Sequence, residues 1–149
     1  MRDAGPEDVL LVRAGGHLCA VPVRDVVETM RPLPVSRIEG APAFVRGAAV
    51  IRGEPVPVVG LGEVLGAPPS AAARLVTVRC GARIAALAVE AVLGVRRLDL
   101  ARGEPLLASG SGAVAALATS GSDLVTVLQA SRILPDEASS ALPAGAGAR

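Results

Sequence analysis

The chain has 149 residues, 51% of them hydrophobic, yet its aromatic share is 1%: Phe44 alone, with no Trp or Tyr. Val, Leu, Ile and Ala must therefore fill the core, and this is not the composition of a base-stacking nucleic-acid surface. With 15 basic and 14 acidic side chains interspersed for a net charge of +1, no polyanion-binding or membrane-surface footprint appears.

The N-terminal "MRDAGPED" carries no apolar signal-peptide core. The longest apolar run, "IAALAV" from Ile84, stops at Glu90, far short of the roughly 20 residues a membrane-spanning helix needs. A cytoplasmic protein without direct membrane insertion is expected. Residues 1–8 and the segment from Asp136 onward are polar or small and read as disordered tails, 1–8 and 136–149.

In chain order, the first signal is a hairpin. "VLLVR" and "HLCAVPV" flank Ala14-Gly15-Gly16, and the glycines supply the positive φ that tight hairpin turns need. Next come the strand-like runs "GAAVI" and "PVPVV", the second carrying Pro55 and Pro57, which confine it to an edge or irregular position. "GAPPSAAA" from Gly66 breaks the chain near its middle and reads as a linker. Beyond it, "LVTVR" and "RIAALAV" flank Cys80-Gly81-Ala82 as a second hairpin, followed by "GAVAALAT" and "DLVTVL" around the turn "SGSD". Only "APAFVRG", "LGEVL" and "QASRIL" offer short helical segments, and no longer stretch carries a capped helical stripe.

A repeat crosses the linker. Val12 stands 66 residues before Val78, and the same offset matches Arg13 to Arg79, Gly15 to Gly81, Val21 to Leu87, Val23 to Val89, Val26 to Val92 and Val27 to Leu93. At an offset of 69, Val56 matches Val125, Val58 matches Val127 and Leu65 matches Leu134. Short strands in a duplicated pattern predict an all-β protein of two antiparallel barrels or sandwiches. The repeat-matched apolar positions Val26, Val58, Val78, Leu87, Val89 and Val127 are its expected core.

Gly60-x-Gly62-x-x-x-Gly66 follows the "PVPVV" strand. A dinucleotide cradle needs a parallel βαβ unit and a packed helix. Here the helix after Gly62 must end before Pro68, and the acid expected some 20 residues on is absent. These glycines read better as a strand exit and helix caps, and no cofactor is expected. The single His17 sits in a hairpin without a second His or a positioned nucleophile, and nothing in the spacing of the glutamates singles out an acid–base pair. Cys19 and Cys80 lie in apolar runs and read as small core residues, not as a metal knuckle or a disulfide. No catalytic, cofactor-binding or metal-binding residues emerge.

The stretch "RIEGAPAFVRGAAVIRGEPVPVVGL", Arg37 to Leu61, resembles the chemotaxis coupling proteins, the CheW-like domains, whose signature is matched by Arg37, Ile38, Pro42, Phe44, Val45, Gly47, Ile51, Arg52, Gly53, Pro57 and Leu61. The upstream "VPVRDVVETM", with its acid at Glu28, and the later "ALAVEAVLGV" are similar to the family as well. The chain departs from it at Val50, where the family has Asn, and at Gly60, where it has Asp.

The resemblance implies two small SH3-like antiparallel β-barrels within residues 9–135, approximately 9–66 and 74–135, with strand exchange between the halves an option. It also implies a non-enzymatic scaffold coupling the cytoplasmic tip of chemoreceptors to the regulatory domain of a CheA-like histidine kinase. A non-flagellar chemosensory role is an alternative, as is, further off, a small-ligand-binding barrel. The partner-binding residues it implies are Val26, Glu28, Gly47, Arg52, Gly53 and Val92, with Arg52 either facing a partner or bracing its own loop.

Overall fold

The computed structural model describes residues 6–99 and 114–134. Among the described residues, ten strands form two five-stranded sheets. In chain order they are β1 (Pro6–Ala14), β2 (His17–Pro22), β3 (Val26–Met30), β4 (Val45–Ile51), β5 (Glu54–Gly60), β6 (Arg74–Cys80), β7 (Arg83–Val89), β8 (Ala91–Asp99), β9 (Val114–Ser120) and β10 (Asp123–Leu128). The helical content among the described residues is one four-residue helix, α1 (Leu61–Val64), and two 3-10 turns at Val23–Asp25 and Ala130–Arg132. The all-β fold with two curled, SH3-like barrels is as expected.

The sheets run β8-β1-β2-β10-β9 and β3-β6-β7-β5-β4. Each draws strands from both sides of the linker, so barrels cut at 9–66 and 74–135 do not follow the sheets. Adding five to each strand of the first order, cyclically, generates the second: the halves are repeats that have exchanged strands. The pairing registers obey the same rule. Val12 faces Val92 across β1 and β8, and its repeat mate Val78 faces Val26 across β6 and β3. Val127 faces Ala20 where its mate Val58 faces Ala86, both in parallel pairings within otherwise antiparallel sheets. Even the bulges match: Val27 and Leu93, mates at the 66-residue offset, are the extra residues on β3 and β8.

Alternation explains the unbroken apolar runs. On β1, Val9 and Leu11 point into the first barrel, while Leu10 and Val12 point into a core shared between barrels. On β7, Ala86 and Ala88 fill the second barrel, while Ala85, Leu87 and Val89 join the shared core. Strands buried on both faces read as continuous hydrophobic stretches. Five of the six repeat-matched core positions are buried; Val26 is half-buried, at the start of edge strand β3 beside the bulge at Val27. Cys19 and Cys80 are free and buried in the shared core.

Four readings need correction. Residues 6–8 belong to β1 rather than to a tail; residues 1–5 and 136–149 lie outside the described residues. β5 is an inner strand despite Pro55 and Pro57, because its pairing with β7 covers only Val58 to Gly60 and the prolines precede it. "APAFVRG" is a turn running into β4, not a helix. β3 and β8, which contain charged and bulged residues, are strands that the strand-like runs did not include.

Candidate functional site

The "IRGE" segment is a two-residue hairpin turn. Ile51 pairs with Glu54 across β4 and β5, and the two residues between them both take positive φ, Arg52 at 53° and Gly53 at 80°. That is the pattern of a type I′ turn, whose twist matches that of the flanking strands. Gly adopts it freely; Arg52 is the only described non-glycine residue with positive φ.

The turn projects Arg52 to the edge strand at the other end of its sheet. Its Nε and one terminal nitrogen donate to the two carboxylate oxygens of Glu28 on β3, at 3.0 and 2.8 Å. The fork-to-fork geometry fixes direction as well as charge. The Arg52 side chain remains 76% exposed, that of Glu28 28%. These hydrogen bonds hold the Glu28 carboxyl below its ordinary pKa and raise that of Arg52. The pair thus ties the β4–β5 turn to β3 across the open side of the curled sheet. A second closure lies further along β4, where Ser36 and Ala48 exchange backbone hydrogen bonds of 2.9 and 2.7 Å.

Glu28 is itself held from inside. Its N–H donates to the hydroxyl of Thr77 at 3.1 Å, and that hydroxyl donates to the Glu28 carbonyl at 3.2 Å. Thr77 is 1% exposed, so one buried hydroxyl serves both main-chain groups beside the bulge at Val27.

The structure therefore brings Glu28, Arg52 and Gly53 together. Val26 lies two residues from Glu28 and packs half-buried against the shared core. Val92 packs on that core too, but from β8 in the other sheet. Gly47 has a different task. At φ 144° it sits in a β4 bulge, and a Cβ there would lie 2.0 Å from the Ser36 carbonyl oxygen. It lets the chain after β3 close over β4.

Sequence reasoning missed two exposed apolar side chains near the pair in the chain. Val50, on β4 two residues before Arg52, is 71% exposed, and Val27, next to Glu28 on β3, is 42% exposed. The signal was the apolar Val50 near the end of β4, where the resemblance expects Asn.

The glycines after β5 have structural tasks, as strand exit and cap. Gly66, at φ 91°, ends α1: its N–H donates to the Glu63 carbonyl at 3.0 Å, and the Ala67 N–H to the Gly62 carbonyl at 2.9 Å, a Schellman closure. At Gly60, where the resemblance expects Asp, the space for a side chain is filled by the Glu63 carboxylate, 2.2 Å from an added Cβ. That carboxylate takes two hydrogen bonds from Arg46, of 3.0 and 2.8 Å. The acid absent from position 60 is delivered from three residues on.

His17 opens β2 and is exposed. Among the described residues no group of His, Cys, Asp or Glu is arranged to hold a metal ion, and no helix is long and apolar enough to cross a membrane.

A family model described as "CheW-like domain" matches residues 8–138. Among solved structures, the scaffolding protein TtCheW from Thermoanaerobacter tengcongensis is similar at a TM-score of 0.77, over 89% of this chain and 95% of its own, with 20% sequence identity. At that identity the likeness speaks for the fold. A comparison with curated proteins gives no match.

Proposed function

The chain belongs to the CheW-like domain family, and from that premise we propose that it is a non-enzymatic scaffold coupling chemoreceptors to a histidine kinase in chemotaxis-type signalling, acting in the cytoplasm. The observation that carries this reading is the Arg52–Glu28 pair: a bidentate clamp held at the surface by a positive-φ turn, with Val50 and Val27 exposed on the two strands it joins. An exposed ion pair adds modestly to the fold, and bidentate geometry places this one at the upper end of what such pairs contribute. Its ordered geometry suits recognition, with the guanidinium's remaining donors and the apolar neighbours available to a partner.

Two contacts follow. The receptor tip, a helical hairpin in the family's partners, would lay an apolar face against Val50 and Val27 and set its register on the charged pair. The kinase regulatory domain, a double barrel of the same type, would dock barrel against barrel, burying about 1,200–2,000 Å² in total. Val26, Glu28, Gly53 and Arg52 belong to the first surface. Gly47 supports it from behind, and Val92 marks the corresponding place on the other barrel.

The test is titration of the purified protein with the regulatory domain of the histidine kinase encoded nearest to it, and separately with a receptor-tip peptide. Binding of both without any small ligand is expected. Failure to bind any kinase regulatory domain of the same genome overturns the coupling role.

A further inference from the structure

Helix α1 is too short to hold its own position. A four-residue helix has one turn of hydrogen bonds and cannot sustain itself in water. Three contacts fix it. From the second barrel, Arg46, the extra residue in the β4 bulge, grips the Glu63 carboxylate with two hydrogen bonds; the two side chains are only 23% and 12% exposed. Toward the first barrel, Gly62 meets Gly15 in the β1–β2 turn so closely that a Cβ on Gly62 would lie 3.0 Å from the Gly15 backbone. Ala67, brought back by the Schellman closure, occupies the space a Cβ on Gly15 would need, 2.6 Å away. The turn is also held by Glu90, at the junction where the chain passes from β7 in the second barrel to β8 in the first. Its carboxylate accepts the Gly15 N–H at 3.0 Å, and its own N–H donates to the Arg13 carbonyl at 2.8 Å.

We infer that the Arg46–Glu63 pair is a latch: it seats α1 as a key against the Gly15 turn and thereby fixes how the two barrels sit on each other. The geometry separates this from simple neutralisation of Arg46. Residue 60 has ordinary extended backbone, φ −74° and ψ 106°, so an acid there would be tolerated, and its Cβ would fall where the Glu63 carboxylate now lies. A counter-ion carried on β5 would satisfy Arg46 equally well. The chain instead leaves position 60 bare and supplies the charge from α1, which makes the ion pair a tether between strand and helix. Glu63 and Arg46 are positioning residues, and what they position is the seam between the barrels.

Site-resolved amide exchange on the full chain tests this. Glu63→Ala is expected to speed exchange of the Gly15, Leu65, Gly66 and Ala67 amides by roughly tenfold or more, while the amides of β6 and β7 keep their protection. Arg46→Ala breaks the latch from the other side and must accelerate the same four. The double variant Gly60→Asp/Glu63→Ala returns a carboxylate to Arg46 from residue 60. Because that residue is also the N-cap of α1, Gly60→Asn/Glu63→Ala, which can cap without charge, is its control. The four amides of both should exchange as fast as in Glu63→Ala. Wild-type exchange in Gly60→Asp/Glu63→Ala would overturn the latch, reducing the pair to charge neutralisation where the control stays fast and to helix capping where it does not. So would unchanged exchange at the four amides in both single variants, or an equal acceleration throughout β6 and β7.

Discussion

Arg52 reaches from the β4–β5 turn to Glu28 on β3, and the two side chains meet through parallel hydrogen bonds of 3.0 and 2.8 Å while the arginine stays mostly in solvent. The contact joins opposite edges of one curled sheet, yet it is made from a backbone conformation that arginine adopts only at a cost. A turn chosen for stability alone would carry Gly or Asn at that position.

Arg52→Gly should therefore leave the melting temperature unchanged or raise it, because glycine accepts φ 53° without strain. The same variant removes the guanidinium, and affinity for the receptor-tip peptide should fall at least tenfold. A charge exchange, Arg52→Glu with Glu28→Arg, keeps a pair but reverses its polarity, and should not restore binding if the partner reads Arg52 directly. Calorimetric melting together with peptide titration checks both outcomes; undiminished affinity in Arg52→Gly removes Arg52 from the interface.

The two signature glycines, Gly47 within β4 and Gly53 in the turn after it, should behave differently. An alanine at 47 would place its Cβ 2.0 Å from the Ser36 carbonyl oxygen, where backbone blocks backbone. Strain and overpacking together should cost roughly 2–5 kcal/mol. At Gly53 nothing lies within 4 Å of an added Cβ, so Gly53→Ala carries only the positive-φ penalty, about 1–2 kcal/mol. Denaturant unfolding of the two variants measures the difference.

How much of this was legible follows from what each feature depends on. The repeat could be read because register and burial recur residue for residue: Val12 and Val78 carry the same side chain for the same reason. The exchange of β3–β5 with β8–β10 between the barrels stayed only an option, since a strand matches its repeat mate equally well whichever sheet it joins. The turn at Arg52-Gly53 was visible as a motif, but its contact with Glu28 spans 24 residues and depends on sheet curvature. The Glu63 carboxylate over Gly60 was out of reach for the same kind of reason: it requires knowing that α1 folds back over the end of β5. Thr77 looked like one more β-branched strand residue, and only its burial opposite a bulge reveals its task.

That task makes Thr77→Val informative. The shapes are nearly equal, but valine leaves the Glu28 N–H and carbonyl beside the bulge without their hydroxyl partner. A loss of about 1–3 kcal/mol is expected, with weakened protection of the Glu28 amide by hydrogen exchange. Thr77→Ser retains the hydroxyl and should recover the protection.

The buried thiols should be inert in the folded protein. Burial pushes Cys19 up to about 12 and raises Cys80 as well, so neither carries appreciable thiolate at pH 8. A thiol reagent at that pH should label neither cysteine in the native state and both after denaturation. The linkage has a definite sign: the folded thiol holds its proton to higher pH than the unfolded one. The stability Cys19 contributes is therefore whole below the ordinary value of 9.0 and is lost as pH rises from there through about 12. Native labelling at pH 8 would show that the shared core opens on the reagent's timescale.

Glu28 titrates in the opposite sense. The hydrogen bonds from Arg52 lower its carboxyl from the ordinary 4.5, so in the window below that value the unfolded chain binds a proton that the folded chain does not. The pair's contribution to stability is accordingly complete above 4.5 and disappears as pH falls through the lowered folded value. Both side chains meet solvent, so the effect on overall stability is small, and the side-chain carboxyl carbon resonance of Glu28 is the better probe. Its midpoint should lie below 4.5 in the wild-type protein and return toward that value in Arg52→Gly, which removes the donor and leaves the turn. If receptor-tip binding uses the intact clamp, affinity should hold steady from pH 7 down to about 5, where Glu28 remains ionised, and weaken only as the carboxyl protonates. A Glu28 midpoint unmoved by Arg52→Gly would mean that the two hydrogen bonds do not persist in solution, and the clamp would then be no fixed feature for a partner to read.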